Sequence, residues 1–395
     1  MIVIGKNTSK IFKTDVVKNI EKERLLFRDR KKDDVGMSDI LDYVRTYGNE
    51  TFLERHFSSA DALVLAQLAY MDWSSAVPGL KENKSPITLK ETLYVGDLEP
   101  MIRGSVFKTG NRELFFQTAN SRRFGGIKLN YYVDLWNEDV NVQMSALTFL
   151  LPCGRACVTF RGTDESLNGW KESFSMVYRF PVPAQECAVM YLNQVGKKLN
   201  MPLIVCGHSK GGNLGVYAGA CCEEIIRRRI RRIYNFDGPG FWDVFLSMEG
   251  YRELLPRIRK YVAPESFIGL LLKDDAATFM VECKSKGMRQ HDPYQWQLFR
   301  GRLRKVYKYH CERRRGGEKL NSHILTVSKE QCQNVIDSFF QAAADSGLQK
   351  LPELNKDYTL EVLKKFSGNC KYDREALFVF ARLMIYMLPG RKILR

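Results

Sequence analysis

A short apolar run that leads directly into a glycine-flanked serine is the feature that most constrains this chain. Leu203–Cys206 is wholly apolar, Gly-His-Ser-Lys-Gly follows it at residues 207–211, and a helix-like apolar stretch comes next. This order of strand, Gly-x-Ser-x-Gly and helix is what a nucleophile elbow requires, since larger side chains two residues from the serine would collide in so tight a turn. The turn would raise the Ser209 hydroxyl above the strand ends and aim the Lys210 N–H at a developing oxyanion. A glycine-rich turn with a capping serine is the purely structural alternative.

Apolar runs along the rest of the chain alternate between strand-like and helix-like patterns. The strand-like runs are Ala146–Leu151, Ala156–Phe160, Leu203–Cys206, Ile230–Phe236, Ile258–Ala263 and Thr278–Cys283. The helix-like runs are Ala60–Asp72, Pro183–Leu199, Leu214–Ile226, Val335–Ala344, Thr359–Phe366 and Glu375–Leu388. Such alternation indicates an α/β fold with a mainly parallel sheet flanked by helices. Residues 75–135 show no pattern that assigns them.

The chain carries 61 Lys and Arg against 45 Asp and Glu, a formal net charge of +16. Such an excess favours an anionic partner, which is a membrane surface, an acidic substrate or nucleic acid. Two basic clusters hold much of it, namely Arg227–Arg229 with Arg231 and Arg232, and Arg300, Arg302, Arg304, Lys305 and Lys308 with Arg313–Arg315. No helix-turn-helix, zinc-finger or RRM pattern accompanies them, so docking on an anionic membrane surface ranks above nucleic-acid binding. Solvated helix faces and turns are the structural alternative.

The chain has no uncharged apolar run long enough to span a membrane and no signal-peptide pattern at its start. None of its ten cysteines forms a Cys-x-x-Cys pair, which argues against a zinc site. We therefore expect a cytoplasmic protein, peripheral at the membrane if it docks there, with neither a metal nor a cofactor.

Five histidines make the search for a general base short. His56 precedes the core patterning, His310 lies in a basic segment, and His208 belongs to the tight turn, which predicts that its side chain leaves in another direction. His291 and His323 remain, both downstream of the serine, as the order nucleophile, acid, base of this kind of fold requires. His291 is preferred because it follows a predicted strand and a turn.

The acid and the second oxyanion donor are expected in loops that leave other strands. Thr163 follows the strand that ends at Phe160 and would supply its N–H and its hydroxyl to an oxyanion. Asp237 leaves the strand Ile230–Phe236 and is the first candidate for the acid, although a turn residue before Gly-Pro-Gly is a strong structural alternative. Glu265 is the second candidate, and Asp274 and Asp275 are later ones.

These residues together resemble the class 3 lipases of the α/β-hydrolase superfamily and a related bacterial hydrolase-like family. The resemblance covers roughly residues 58–330. Its motifs are Phe160-Arg161-Gly162-Thr163 with Asn168-Gly169-Trp170, the segment from Gly207 to Gly212, and His291 with Pro293 and Trp296.

The resemblance implies an α/β-hydrolase-type fold with Ser209 as nucleophile, His291 as base, and Thr163 and Lys210 as oxyanion donors. It implies that residues 164–180 form a mobile lid, in which Leu167, Trp170 and Phe174 would contact an acyl chain. We expect an N-terminal extension at residues 1–57, a lipase-like domain at 58–330 and a C-terminal helical extension at 331–395.

The chain departs from class 3 lipases at two positions. Lys210 stands where those enzymes usually carry leucine, which puts a cation beside the site, and Pro264-Glu265-Ser266 stands where they carry Asp-Pro. The acid therefore stays open between Asp237 and Glu265. The sequence predicts a serine hydrolase that cleaves a lipid or small carboxyl ester through an acyl-enzyme on Ser209. A catalytically inactive scaffold that binds lipid or protein is the alternative.

Overall fold

The computed structural model describes residues 38–103, 106–306, 320–354, 361–366 and 373–387. An eight-stranded sheet, whose strand order follows the sequence, forms its centre. The strands are β1 Ile87–Thr88, β2 Lys128–Asn137, β3 Val142–Leu151, β4 Arg155–Phe160, β5 Leu203–His208, β6 Ile230–Phe236, β7 Ile258–Val262 and β8 Ala277–Met280. A separate two-stranded ribbon joins β9 Leu298–Phe299 to β10 Arg302–Leu303.

Helices flank the sheet on both faces. Those before β5 are α1 Ile40–Tyr47, α2 Ser59–Leu68, α3 Thr92–Val95, α4 Leu98–Arg103, α5 Lys108–Ala119, α6 Leu167–Ser175 and α7 Pro183–Lys198. Those after β5 are α8 Lys210–Cys221, α9 Glu224–Arg227, α10 Asp243–Leu246, α11 Glu249–Leu254, α12 Lys329–Asp345 and α13 Arg374–Met387. None of the described helices is both long and apolar enough to cross a membrane.

Parallel pairing runs through the larger part of the sheet. Strands β4 to β8 pair in parallel, whereas β1, β2 and β3 join the edge next to β4 in antiparallel fashion. The predicted mainly parallel α/β sheet with flanking helices is therefore confirmed.

The strand order explains why the two faces of the sheet are covered by different parts of the chain. Right-handed crossovers between parallel strands that follow one another in order place their helices on the same face. Helices α7, α8 and α11 accordingly share one buried cluster with the sheet. The opposite face has no crossover helix, and the N-terminal helices α1, α2 and α5 cover it.

Helix α2 is buried on almost its whole circumference, and its single acidic residue is paired inside the core. Asp61 is 0% exposed and accepts hydrogen bonds from Arg123 Nε at 2.7 Å and from Tyr43 Oη at 2.8 Å. Burial and the nearby Asp61 raise the pKa of the Tyr43 hydroxyl, which keeps it a donor. The network ties α1 and the segment after α5 to α2, which holds the N-terminal layer together.

The C-terminal helices α12 and α13 form a third buried cluster with α6. Phe340 and Phe380 pack there against Phe174 of α6, and Phe339 packs against both of them. Whether the chain divides at residues 57 and 330 stays a prediction.

Most predicted elements occur where the sequence places them, but two helices begin earlier than predicted. The helix predicted at Val335–Ala344 begins at Lys329. The helix predicted at Leu214–Ile226 instead begins at Lys210 and ends at Cys221, and the short α9 follows separately. Its first turn contains two glycines, which are poor helix formers, so the sequence pattern hides the true start. The N-terminal 37 residues, with their charged run Glu21–Asp34, lie outside the described residues, as do Lys308, His310 and Arg313–Arg315.

Candidate active site

The turn between β5 and α8 has the backbone geometry of a nucleophile elbow. Ser209 has φ 57° and ψ −133°, in a region that non-glycine residues rarely occupy and that costs free energy. A Cβ on Gly207 would lie 2.3 Å from the carbonyl of Gly211, and a Cβ on Gly211 would lie 2.1 Å from Phe160 O. Both flanking glycines are therefore required by close backbone contacts, as the motif predicts.

Ser209 opens onto a cavity of about 610 Å³. Ser209 is only 9% exposed, so a substrate would reach it through this cavity. Apolar side chains form much of the wall, namely Val106, Phe107, Trp170, Met176, Pro239, Ile268, Leu271 and Leu351. Thr163, His208 and His291 line the same cavity. A size in this range suits a small organic ligand or an acyl chain.

His291 is held by a buried carboxylate. Its Nδ1 lies 2.6 Å from Oδ2 of Asp237, which is 0% exposed. The other carboxylate oxygen of Asp237 accepts the N–H of Ala263 at 3.3 Å. Because an ionised carboxylate can only accept, Nδ1 of His291 carries the hydrogen, and Nε2 is the nitrogen that can take a proton. A general base and the acid that orients it make a pairing of this kind.

The other candidate acids and bases make different contacts. Glu265 accepts the N–H of Gly287, and its own N–H donates to Gln290 Oε1 at 2.7 Å. Both partners lie in the 3-10 helix Gly287–His291, so Glu265 anchors the segment that carries His291. Asp274 pairs with Lys260 at 2.8 Å. His323 lies 3.8 Å from the Glu375 carboxylate, among the C-terminal helices.

His208 supports His291, although the sequence predicts that its side chain leaves in another direction. Its Nε2 lies 2.9 Å from the carbonyl oxygen of His291, and its Nδ1 lies 2.9 Å from Tyr70 Oη. A carbonyl accepts, so Nε2 carries the hydrogen and Nδ1 accepts the Tyr70 hydroxyl. The two imidazole rings lie 4.6 Å apart. Burial, and then the neighbouring His291, hold the pKa of His208 well below its ordinary value, so His208 is neutral.

The two candidate oxyanion donors differ in what they can offer. Lys210 is the first residue of α8, where an N–H has no partner within the helix and the helix dipole favours negative charge. The Thr163 hydroxyl lies 2.6 Å from Ser173 Oγ, and Ser173 Oγ donates to Gly169 O at 2.8 Å. Ser173 has one hydroxyl hydrogen, so Thr163 donates to Ser173. The N–H of Thr163, rather than its hydroxyl, is then the group that remains for an oxyanion.

The cation expected beside the site is buried and neutralised. Lys210 is 2% exposed, and its Nζ donates to Gln143 O at 2.7 Å, to Gln143 Oε1 at 2.8 Å and to Glu172 Oε2 at 3.0 Å. These three acceptors use all three ammonium hydrogens. The lysine that replaces the lipase leucine therefore forms an internal ion pair with Glu172.

Of the three residues expected to contact an acyl chain, Trp170 lines the cavity. Phe174 is 0% exposed, with its ring 5.5 Å from that of Phe340 and 6.1 Å from that of Phe380. Leu167 is partly buried against the same cluster. The side of helix α6 that carries Phe174 therefore packs against the C-terminal helices.

Much of the described part of the two basic clusters makes ion pairs or ring contacts within the chain. Arg227 pairs with Glu253 at 2.7 Å, and Arg304 pairs with Glu282 at 2.8 Å. Lys305 Nζ lies 3.6 Å above the Phe279 ring. Docking on an anionic membrane stays a prediction. Within the described ranges, no group of three or more His, Cys, Asp and Glu side chains is placed to hold a metal ion.

Comparison with known proteins finds one family and several solved structures. The profile of a family described as Mbeg1-like matches residues 118–341, which is more than half of the chain. No curated protein matches the chain.

Two of three similar solved structures are named as lipases. The M37 lipase is 12% identical, with a TM-score of 0.34, and the match covers 54% of this chain and 70% of that one. The native complex of Rhizomucor miehei lipase with its propeptide is 13% identical, with a TM-score of 0.32 and coverage of 46% and 61%. A mutant of MDLA from Penicillium cyclopium is 11% identical, with a TM-score of 0.34 and coverage of 57% and 78%.

The buried ion pair yields a prediction about stability. Lys210→Met leaves the Glu172 carboxylate buried without its cation, and we expect the free energy of unfolding to fall by about 3–5 kcal/mol. The double variant Lys210→Met, Glu172→Met removes both charges and should recover most of that loss. Lys197→Met is the matched control, since its ion pair with Glu223 is exposed and should contribute at most about 1 kcal/mol. Urea denaturation measures all three, and a double variant as unstable as Lys210→Met would contradict the account.

The neutral His208 yields a prediction about pH. Its pKa is lower in the folded chain than in the unfolded chain, where it is near 6.5. Below that value the unfolded chain binds the extra proton, so this histidine's contribution to stability is present above about pH 6.5 and is lost as pH falls. We expect His208→Gln, which keeps an N–H donor but does not titrate, to weaken the fall in Tm between pH 7 and 5. An unchanged pH slope would contradict this.

Proposed function

We propose that the chain, which belongs to the Mbeg1-like family, is a serine hydrolase that cleaves carboxyl esters. One observation carries the proposal. Ser209, on a strained elbow, shares a cavity with His291, whose Nδ1 is held 2.6 Å from the buried Asp237. Backbone strain at a glycine-flanked serine has no evident structural use. Strained residues are found most often at functional sites.

The geometry supports the following course of reaction. Ser209 Oγ attacks the ester carbonyl while His291 Nε2 takes the hydroxyl proton, and Asp237 stabilises the imidazolium that forms. The carbonyl oxygen becomes an oxyanion that accepts hydrogen bonds from the N–H groups of Lys210 and Thr163. His291 then gives its proton to the leaving alkoxide, which leaves an acyl group on Ser209. A water molecule repeats the sequence on the acyl-enzyme, releases the acid and restores the serine.

The wall of the cavity indicates the kind of ester. Trp170, Met176, Ile268 and Leu271 provide an apolar lining beside the serine. An acyl chain gains free energy by leaving water for such a lining, whereas a highly charged acyl group would lose its hydration. We therefore propose a lipid or a small ester with an apolar acyl group as the substrate.

Labelling tests the nucleophile. A fluorophosphonate should modify the wild-type chain, and peptide mass spectrometry should place the adduct on Ser209. Ser209→Ala should abolish the labelling because the attacking oxygen is gone. Ser285→Ala, which changes another serine of the same cavity, should still be labelled. Labelling of Ser209→Ala equal to the wild type would sink the assignment, and an inert wild type would favour the inactive binding scaffold.

Substitution of the two candidate acids tests the base. Asp237→Asn keeps the size of the side chain but favours the wrong tautomer of His291, so we expect kcat for p-nitrophenyl esters to fall by about 10⁴-fold. Glu265→Gln keeps an oxygen that accepts the Gly287 N–H, and its kcat should fall far less. If Asp237→Asn kept the wild-type kcat while Glu265→Gln lost it at an unchanged Tm, the choice of Asp237 would be wrong.

A further inference from the structure

Helix α6 lies against both residues that are the candidate oxyanion donors. Two consecutive residues of the helix make the contacts. Glu172 pairs with Lys210 at 3.0 Å, and Ser173 bonds to Thr163 at 2.6 Å. Lys210 and Thr163 lie 47 positions apart in the chain, after the paired strands β5 and β4, and one helix contacts both of them.

The Glu172 carboxylate is itself fixed from three directions. Besides Lys210, it accepts the N–H of Gln143 in β3 at 3.0 Å and the N–H of Ala184 in α7 at 2.8 Å. Glu172 is 0% exposed, so each of these charge-assisted bonds lies in a low-dielectric interior. The carboxylate therefore ties the start of α8 to β3, α6 and α7.

The contact through Ser173 is the tighter of the two. A threonine hydroxyl is one carbon from the backbone, whereas a lysine ammonium is at the end of a flexible stem. Holding the Thr163 hydroxyl therefore fixes the position of the Thr163 main chain closely. Ser173 is only 9% exposed, and it is held by its own bond to Gly169 O at 2.8 Å.

The outer side of α6 is held by the C-terminal part of the chain. Phe174 packs against Phe340 and Phe380, and Lys171 lies 3.4 Å from the Asp337 carboxylate. The residue after the helix, Met176, accepts a hydrogen bond from Trp242 Nε1 at 3.0 Å. A movement of α6 away from the site would separate a buried ion pair and expose a buried phenylalanine, both of which are costly.

We infer that α6 is a positioning helix of the active site, with Glu172 and Ser173 as the positioning residues that set the two oxyanion N–H groups relative to Ser209. The inference rests on the proposed hydrolase function. It differs from the mobile lid that the resemblance implies for this segment, because the helix is bonded inward to both donors and packed outward against α12 and α13.

Ser173→Ala tests the inference, with Ser175→Ala as its matched control. Ser175 lies on the same helix, is 2% exposed, and donates to the backbone carbonyl of Glu172 at 2.7 Å rather than bonding to Thr163. The readouts are kcat and KM for a p-nitrophenyl ester, Tm, and the inhibition constant of a trifluoromethyl ketone, whose adduct with a serine carries an oxyanion.

For Ser173→Ala we expect kcat to fall about 10- to 100-fold, as a misplaced transition-state donor should cause, with KM nearly unchanged. Binding of the trifluoromethyl ketone should weaken by the same factor. Ser173→Thr, which restores a hydroxyl, should recover most of kcat. Ser175→Ala should lower Tm by as much as Ser173→Ala, yet keep kcat and inhibitor binding near the wild-type values.

Three results would overturn the inference. If the wild type hydrolyses esters but Ser173→Ala matches Ser175→Ala in kcat and inhibitor binding, Ser173 has a structural role only. If KM rises while kcat holds, the residue acts on substrate binding. If the wild type neither hydrolyses esters nor reacts with a fluorophosphonate, the proposed function fails, and this inference fails with it.

Discussion

The strained backbone at Ser209 is the constraint on which the rest of the site depends. A φ of 57° at a serine is tolerated only because glycines on both sides let β4, β5 and α8 approach within contact distance. The parallel register then aligns the ends of the neighbouring strands. Phe160 of β4 lies opposite Gly207, and His208 of β5 lies opposite Phe236 of β6. Three neighbouring strands therefore end together, and the residues that follow them, Thr163, Ser209 and Asp237, meet at one edge of the sheet.

Several buried polar groups beside this edge are paired with specific partners. Lys210 is neutralised by Glu172, the Asp237 carboxylate holds His291, and the uncharged His208 bridges Tyr70 and the His291 carbonyl. Such groups would be costly if unpaired, and when paired they fix one geometry. The net charge of +16 has little part in this arrangement. Beside the serine Lys210 is paired with Glu172, and much of the described part of the basic clusters lies in contacts away from the cavity.

The elbow, the strands that flank it and the histidine opposite it were predictable, because each is a local pattern of apolar runs and glycines. The choice between the two candidate acids was not predictable, since Asp237 and Glu265 both follow parallel strands of the same sheet. Only the packing of the 3-10 helix decides which one faces His291. The packing of the N-terminal helices on the second face of the sheet was not predictable either. Helix α2 is buried nearly all round, and residues 75–135 show no clear hydrophobic period. The setting of α6 depends on Phe340 and Phe380, far along the chain, and the resemblance, which implies a mobile lid at residues 164–180, does not include these contacts.

In the proposed reaction, Ser209 on the elbow works with two N–H groups whose spacing α6 maintains. A crystal structure of the chain after reaction with a phosphonate inhibitor would test this, because the phosphonyl oxygen occupies the place of the oxyanion. We expect a bond from phosphorus to Ser209 Oγ, the phosphonyl oxygen at about 2.7–3.1 Å from the N atoms of Lys210 and Thr163, and α6 in its present contacts. An adduct on another residue, or an oxygen bound elsewhere with α6 displaced, would be incompatible with this reaction.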